Sequence, residues 1–140
     1  MEIIYPQTAK GPVGWFTGDV YPTIVLAGSE PSRVRMGSVH FAPGARTAWH
    51  SHAVGQYLHV VEGTALLQER GGGIVTLRPG DTSYTEPGVE HWHGATPDSF
   101  MIHLAIWEAP APGDGQPETA LGAHVTDEEY SQHEAAGEKR

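Results

Sequence analysis

Residues 43–63 decide the fold: Pro43-Gly44-Ala45-Arg46-Thr47-Ala48-Trp49-His50-Ser51-His52-Ala53-Val54-Gly55-Gln56-Tyr57-Leu58-His59-Val60-Val61-Glu62-Gly63. Pro43-Gly44 is a turn signal. The chain after it reads as a strand, with His50 and His52 two residues apart. Side chains alternate across a strand, so both imidazoles leave one face. Gln56 shares their parity, followed in register by Leu58 and Val60. A hairpin face with two imidazoles and an amide among apolar neighbours is odd for a core. It is natural for a metal pocket, because neutral imidazole is the commonest protein metal ligand.

A second stretch completes the pattern. Gly80-Asp81 opens a strand over Thr82–Thr85, Glu86-Pro87-Gly88-Val89 turns, and His91-Trp92-His93 follows. His91 and His93 again share a face. The predicted metal ligands are His50, His52, Gln56 and His91. The competing role for Gln56 is an amide hydrogen-bonded to a ligand imidazole, and the competing reading of the site is a barrel that binds no metal. Three neutral imidazoles and a neutral amide leave a divalent ion its full charge, so the site should be a strong Lewis acid. Mixed nitrogen and oxygen donors suit one divalent transition metal: manganese, iron, nickel or zinc.

These residues resemble the two motifs of the cupin family. Gly44-x5-His50-x-His52-x3-Gln56-x6-Gly63 matches the first, with Gln56 where many members have Glu. Gly80 through Pro87-Gly88-x2-His91 resembles the second, with Glu86 in place of Pro and Ala95 in place of Asn. The spacing between the motifs suits a small member.

At 140 residues the chain is one domain by default. We divide 1–140 into an N-terminal arm (1–35), a barrel (36–108), and a linker with a C-terminal helix (109–140). The 18 glycines and 11 prolines are many for a helical protein and ordinary for short strands with tight turns. There is no cysteine, which excludes disulfides and thiolate metal sites. The formal charge is −9, concentrated in the tail. Nucleic acid is not an expected partner, since a basic footprint is missing. A strongly anionic substrate is disfavoured, with Arg46 as a local exception. No apolar run approaches the ~18 residues of a membrane span, and Met1–Pro6 lacks the features of a signal peptide. No membrane partner and a cytoplasmic location are expected.

In the arm, Trp15–Tyr21 reads as an irregular strand and Thr23–Ala27 as a short apolar run. Open strand edges are a liability, so a homodimer or higher homo-oligomer is expected. In residues 33–42, Gly37, Val39 and Phe41 share the inward parity and His40 faces out. Strands are predicted over Thr64–Glu69, Ile74–Leu77 and Ser99–Glu108, the last apolar except for His103. Residues 109–118 read as a linker. Thr126-Asp127-Glu128-Glu129 fits a capping box, with Gly137 as the helix stop. Eight or more short strands with frequent turns point to an all-β jelly-roll barrel with a short C-terminal helix.

His93 points into the pocket or its mouth. His103 is either a hydrogen-bonded core residue or, with His93, a general base. Thr47 is placed to orient a substrate oxygen. Trp49 and Trp92 have the opposite parity and are read as packing. His59, His124 and His133 receive no role.

A closer resemblance covers most of the chain. Trp15-Phe16-Thr17-Gly18, Phe41 through His50, His91-Trp92-His93-Gly94-Ala95, His103-Leu104-Ala105-Ile106 and His124 through Glu128 are similar to bacterial small cupins that include manganese-dependent hydroxynitrile lyases. The resemblance implies manganese held by His50, His52, Gln56 and His91, and an active site with Thr47, His93 and His103. It also implies that Gly37 and Val39 set substrate fit. The expected function is metal-dependent cleavage or formation of a small cyanohydrin. The alternatives are an oxygen-using cupin acting on a small aromatic or alkene, and a non-catalytic ligand-binding cupin.

Overall fold

Turn residues every few positions cut the chain into short strands. A computed structural model describes residues 1–133. It contains β1 (Phe16–Thr17), β2 (Val20–Ala27), β3 (Val34–Phe41), β4 (Arg46–Thr47), β5 (His50–His52) and β6 (Gln56–Gly63). There follow β7 (Ala65–Glu69), β8 (Val75–Leu77), β9 (Thr82–Thr85), β10 (His91–Ala95), β11 (Met101–Glu108), β12 (Thr119–Leu121) and α1 (Asp127–Ser131). One sheet is ordered β2-β3-β11-β6-β9. The other has seven strands, with β1-β4-β10-β5-β12 in order, β7 on β10 and β8 on β7. The two antiparallel sheets curl over one another as a jelly roll.

The structure corrects the hairpin read from residues 43–63. β5 pairs with β10 and β12, whereas β6 pairs with β11 and β9. The two strands lie in opposite sheets, so Gln56 faces His50 and His52 across the barrel instead of beside them. Gly55 makes the crossing. Its φ is +85°, and a Cβ there would lie 2.8 Å from the Thr85 carbonyl oxygen, a backbone contact no side chain tolerates. The strand before it is also broken. Ala48 and Trp49 separate β4 from β5, and their amides bond the carbonyls of Trp15 and Ala123.

The segment read as an arm supplies a sheet edge: β2 pairs with β3 from Val20 to Ala27. β12 had no counterpart among the predicted strands. It follows the linker directly and pairs Thr119 with His52 and Leu121 with His50.

Inward residues of both sheets form the core. Val20, Val39, Phe41, Val60 and Met101 are buried together between the sheets. Burying each side chain of this size contributes about 1.5–3 kcal/mol. A second cluster gathers Trp49, Leu66, Ile74, Trp92, Val125 and Tyr130 under α1. Both tryptophans therefore pack, as their parity predicts. The capping box forms fully: Thr126 Oγ1 accepts from the Glu129 amide at 3.0 Å, and Glu129 Oε1 accepts from the Thr126 amide at 2.9 Å. The predicted stop at Gly137 lies outside the described residues.

Arg46 does not line the pocket, so it is not the local exception that its nearness to the motif suggested. Its side chain takes the opposite parity to Thr47. Its guanidinium lies 4.5 Å from the Tyr130 ring centroid. It donates to the Val125 carbonyl at 2.9 Å and to Asp127 at 2.7 Å, so it ties α1 to the barrel.

Candidate metal centre and pocket

Five buried imidazoles line one space between the sheets. His50 and His52 come from β5, His91 and His93 from β10, and His103 from β11 in the facing sheet. His50 and His91 are register partners, with ring centroids 4.3 Å apart. His52 lies 5.1 Å from His50, His93 lies 5.2 Å from His50, and His103 lies 4.7 Å from His93. Gln56 reaches in from β6. Thr47 Oγ1 accepts from the His93 backbone N–H at 3.2 Å.

The rings are oriented by what holds each Nδ1. His50 Nδ1 donates to the Ala48 carbonyl at 2.8 Å and His91 Nδ1 to the Val89 carbonyl at 3.1 Å. A carbonyl only accepts, so in the neutral rings the lone pair sits on Nε2. His52 Nδ1 lies 3.1 Å from Thr119 Oγ1. His93 Nδ1 lies 2.8 Å from His103 Nε2. Each of these four rings turns its Nε2 away from its anchor.

All five rings are held neutral at pH 7. Burial pushes His52 and His103 down to about 4. Burial first, then neighbouring imidazoles, holds His50 and His93 well below the ordinary value. Burial also lowers His91. Removing a lone imidazolium from water is costly, and another imidazole beside it adds repulsion.

Neutral imidazoles are what a divalent ion needs, and two further observations fit one. The buried Nε2 atoms of His52 and His93 have no hydrogen-bond partner, a cost usually offset by a ligand or ion. In addition, Gln56 Oε1 lies 3.0 Å from His91 Nε2, although both are acceptors in this tautomer. That separation suits adjacent ligand atoms around one ion, about 3 Å for bonds of ~2.1 Å at right angles. His50, His91 and His93 form a group that can hold a metal, their ligand nitrogens all within 4.8 Å of one another. His93 thus joins the cluster more closely than sequence parity suggests, while His52 stands just outside this tightest trio.

Beside the cluster is a cavity of about 290 Å³, near the lower end of small-molecule pockets (~300–1,000 Å³). Trp15, Phe16, Ile24, Phe41 and Trp107 wall it, with Gly37 and Val39 at one side. Among the described residues, no Asp, Glu, Lys or Arg lines it. A Cβ on Gly37 would meet Ile24 Cδ1 at 3.6 Å, ordinary contact that would nonetheless take pocket space. Thr47 and His103 line the cavity as well.

Several contributors escaped the sequence reading, among them Ile24, Trp107 and Thr119. Trp107 shares the inward parity of His103 and Ala105 on β11, a signal that was available. Thr119 offers no such signal, because a three-residue strand after a linker has no readable register.

Two curled antiparallel sheets with imidazoles gathered between them define a jelly-roll barrel with a candidate metal site. The chain belongs to the cupin family: the model described as Cupin domain matches residues 37–107. It is 45% identical over 123 residues to a protein named (R)-mandelonitrile lyase from Granulicella tundricola, covering 88% of this chain and 91% of that one. Among solved structures, a cupin-like protein from Thermotoga maritima is 36% identical with a TM-score of 0.81, covering 94% of this chain and 96% of that one. A cupin-2 domain from Rhodospirillum rubrum shares the fold at 14% identity and a TM-score of 0.66, over 94% of this chain and 81% of that one. Among the described residues, no helix is long and apolar enough to cross a membrane.

Proposed function

We propose that this cupin is a metal-dependent lyase that cleaves, or in reverse forms, a small aromatic cyanohydrin. The observation that carries the reading is the junction of an uncharged aromatic-walled cavity with a cluster of neutral imidazoles. The relative named mandelonitrile lyase supports the substrate class. His50, His52, Gln56 and His91 are the residues assigned to the metal, with manganese favoured. When bound, the ion would supply Lewis acidity toward a substrate hydroxyl.

The chain's own residues do the rest. The aromatic walls take the substrate ring and exclude water. In this mechanism His103 carries its proton on Nδ1. His103 Nε2 then accepts from His93 Nδ1–H, and the His93 lone pair stands on Nε2 toward the cluster. His93 Nε2 takes the hydroxyl proton, the freed O–H pair closes the carbonyl, and the carbon–cyanide pair leaves with cyanide, which takes the proton back from the imidazolium and departs as hydrogen cyanide. The second imidazole shares the imidazolium charge through the 2.8 Å bond. Thr47 braces His93 through its backbone amide.

The test is benzaldehyde release from mandelonitrile by metal-loaded protein, metal-free protein, His93→Ala and His103→Ala. Activity is expected only with metal. His93→Ala should lose about 10²-fold or more, as expected for a general base. A loaded wild type that only matches the buffer rate sinks the lyase reading, and oxygen uptake with small aromatic substrates is then the next measurement.

A further inference from the structure

The short segment 118–119 is not a spacer on its way to the helix. The Glu118 carbonyl accepts from the Ala53 amide at 3.0 Å, just after β5. Its carboxylate accepts from Trp107 Nε1 at 3.0 Å, and from Arg35 Nε and Nη2 at 3.3 Å each. Arg35 is pinned in turn by donating to the Gly28 carbonyl at 3.0 Å. Trp107 is a cavity wall, and its ring lies 6.0 Å from that of His52 with an interplanar angle of 34°. The next residue, Thr119, is the register partner of His52 and puts Oγ1 3.1 Å from His52 Nδ1.

The contrast with the other rings gives this contact its meaning. His50 and His91 are fixed by backbone carbonyls, which no substitution removes. His52 is fixed by a side chain on another strand. Without that hydroxyl, a ring in a buried site can turn, and turning takes its lone pair out of the cluster. Partners behind a ligating imidazole typically account for 10–100-fold in metal affinity or activity.

We propose that Glu118 and Thr119 are positioning residues of the metal site. Thr119 holds the plane of the His52 ring, and Glu118 anchors both the segment and the Trp107 wall against Arg35. The inference rests on His52 being a metal ligand, as in the function proposed above. It does not depend on which reaction the site performs.

The experiment therefore reads metal affinity alone. Manganese and zinc dissociation constants are measured by competition with a chromophoric chelator for wild type, Thr119→Val, Thr119→Ser and Glu118→Ala, with thermal unfolding as a check on folding. Thr119→Val keeps the shape of the side chain and removes its hydroxyl, and is expected to bind metal about 10-fold or more weakly. Thr119→Ser should return to near wild-type affinity. Glu118→Ala, which frees the segment but leaves the hydroxyl, should show a smaller weakening. A folded Thr119→Val that binds metal within twofold of wild type overturns the proposal, as does failure of Thr119→Ser to restore affinity. A wild type that binds metal tightly yet leaves mandelonitrile untouched would sink the lyase reading and leave this test intact.

Discussion

Gln56 is the residue on which the electrostatics of the site turn. It is buried, and its amide oxygen faces His91 Nε2 at 3.0 Å. Every other donor around it is a neutral imidazole, so nothing in the set offsets the charge of a bound ion. A carboxylate in the same place would neutralise half of a divalent charge and weaken its pull on a substrate oxygen. Gln56→Glu is accordingly expected to keep metal at or above wild-type affinity while turnover falls about tenfold, in line with the loss of Lewis acidity. Metal content by elemental analysis, alongside mandelonitrile cleavage, checks both halves. A rise in turnover at constant metal content refutes the charge argument.

At the scale of the element, α1 and the site occupy opposite faces of the same sheet. Trp92 points to the helix cluster while His91 and His93 point to the cavity, because neighbours on β10 alternate. The helix can thus be weakened without touching the chemistry. Thr126→Ala removes the cap that receives the Glu129 amide, a loss of about 1 kcal/mol. Thermal unfolding should fall by roughly 3–5 °C, with metal affinity unchanged; a drop in metal affinity would show that the faces are coupled. The same alternation explains what could be read in advance. Parity alone put His50, His52, His91 and His93 on inward faces, Trp49 and Trp92 on outward ones, and His40 outside. The capping box gave the helix start to the residue. Parity cannot say which sheet a strand joins, so Gln56 was seen inward yet on the wrong side of the barrel. Arg46 was misread for a related reason: nearness to His50 in sequence says nothing about a helix eighty residues later that claims its guanidinium. Thr119 was illegible because only the finished barrel brings β12 beside β5.

For the whole molecule, burying five imidazoles ties stability to pH even with no metal present. Burial lowers each folded-state pKa, to about 4 for His52 and His103 and in the same direction for His50, His91 and His93. In the unfolded chain each returns to roughly 6.5. Above that value neither state binds the proton, and this contribution to stability is fully present. As pH falls from about 6.5 toward 4, the unfolded chain takes up protons that the folded protein refuses. Each such imidazole then costs about 1.4 kcal/mol per pH unit. The denaturant midpoint of metal-free protein should fall steeply across that window and more gently above it. His40 lies on the exposed face of β3, away from this cluster, so His40→Gln is the control substitution. His103→Gln removes one buried imidazole, and the slope should flatten by about one proton even if the variant is less stable at neutral pH. A metal-free wild type whose stability is level between pH 6.5 and 4.5 would mean that the folded protein accepts protons in this cluster, and with them water or a rearranged core.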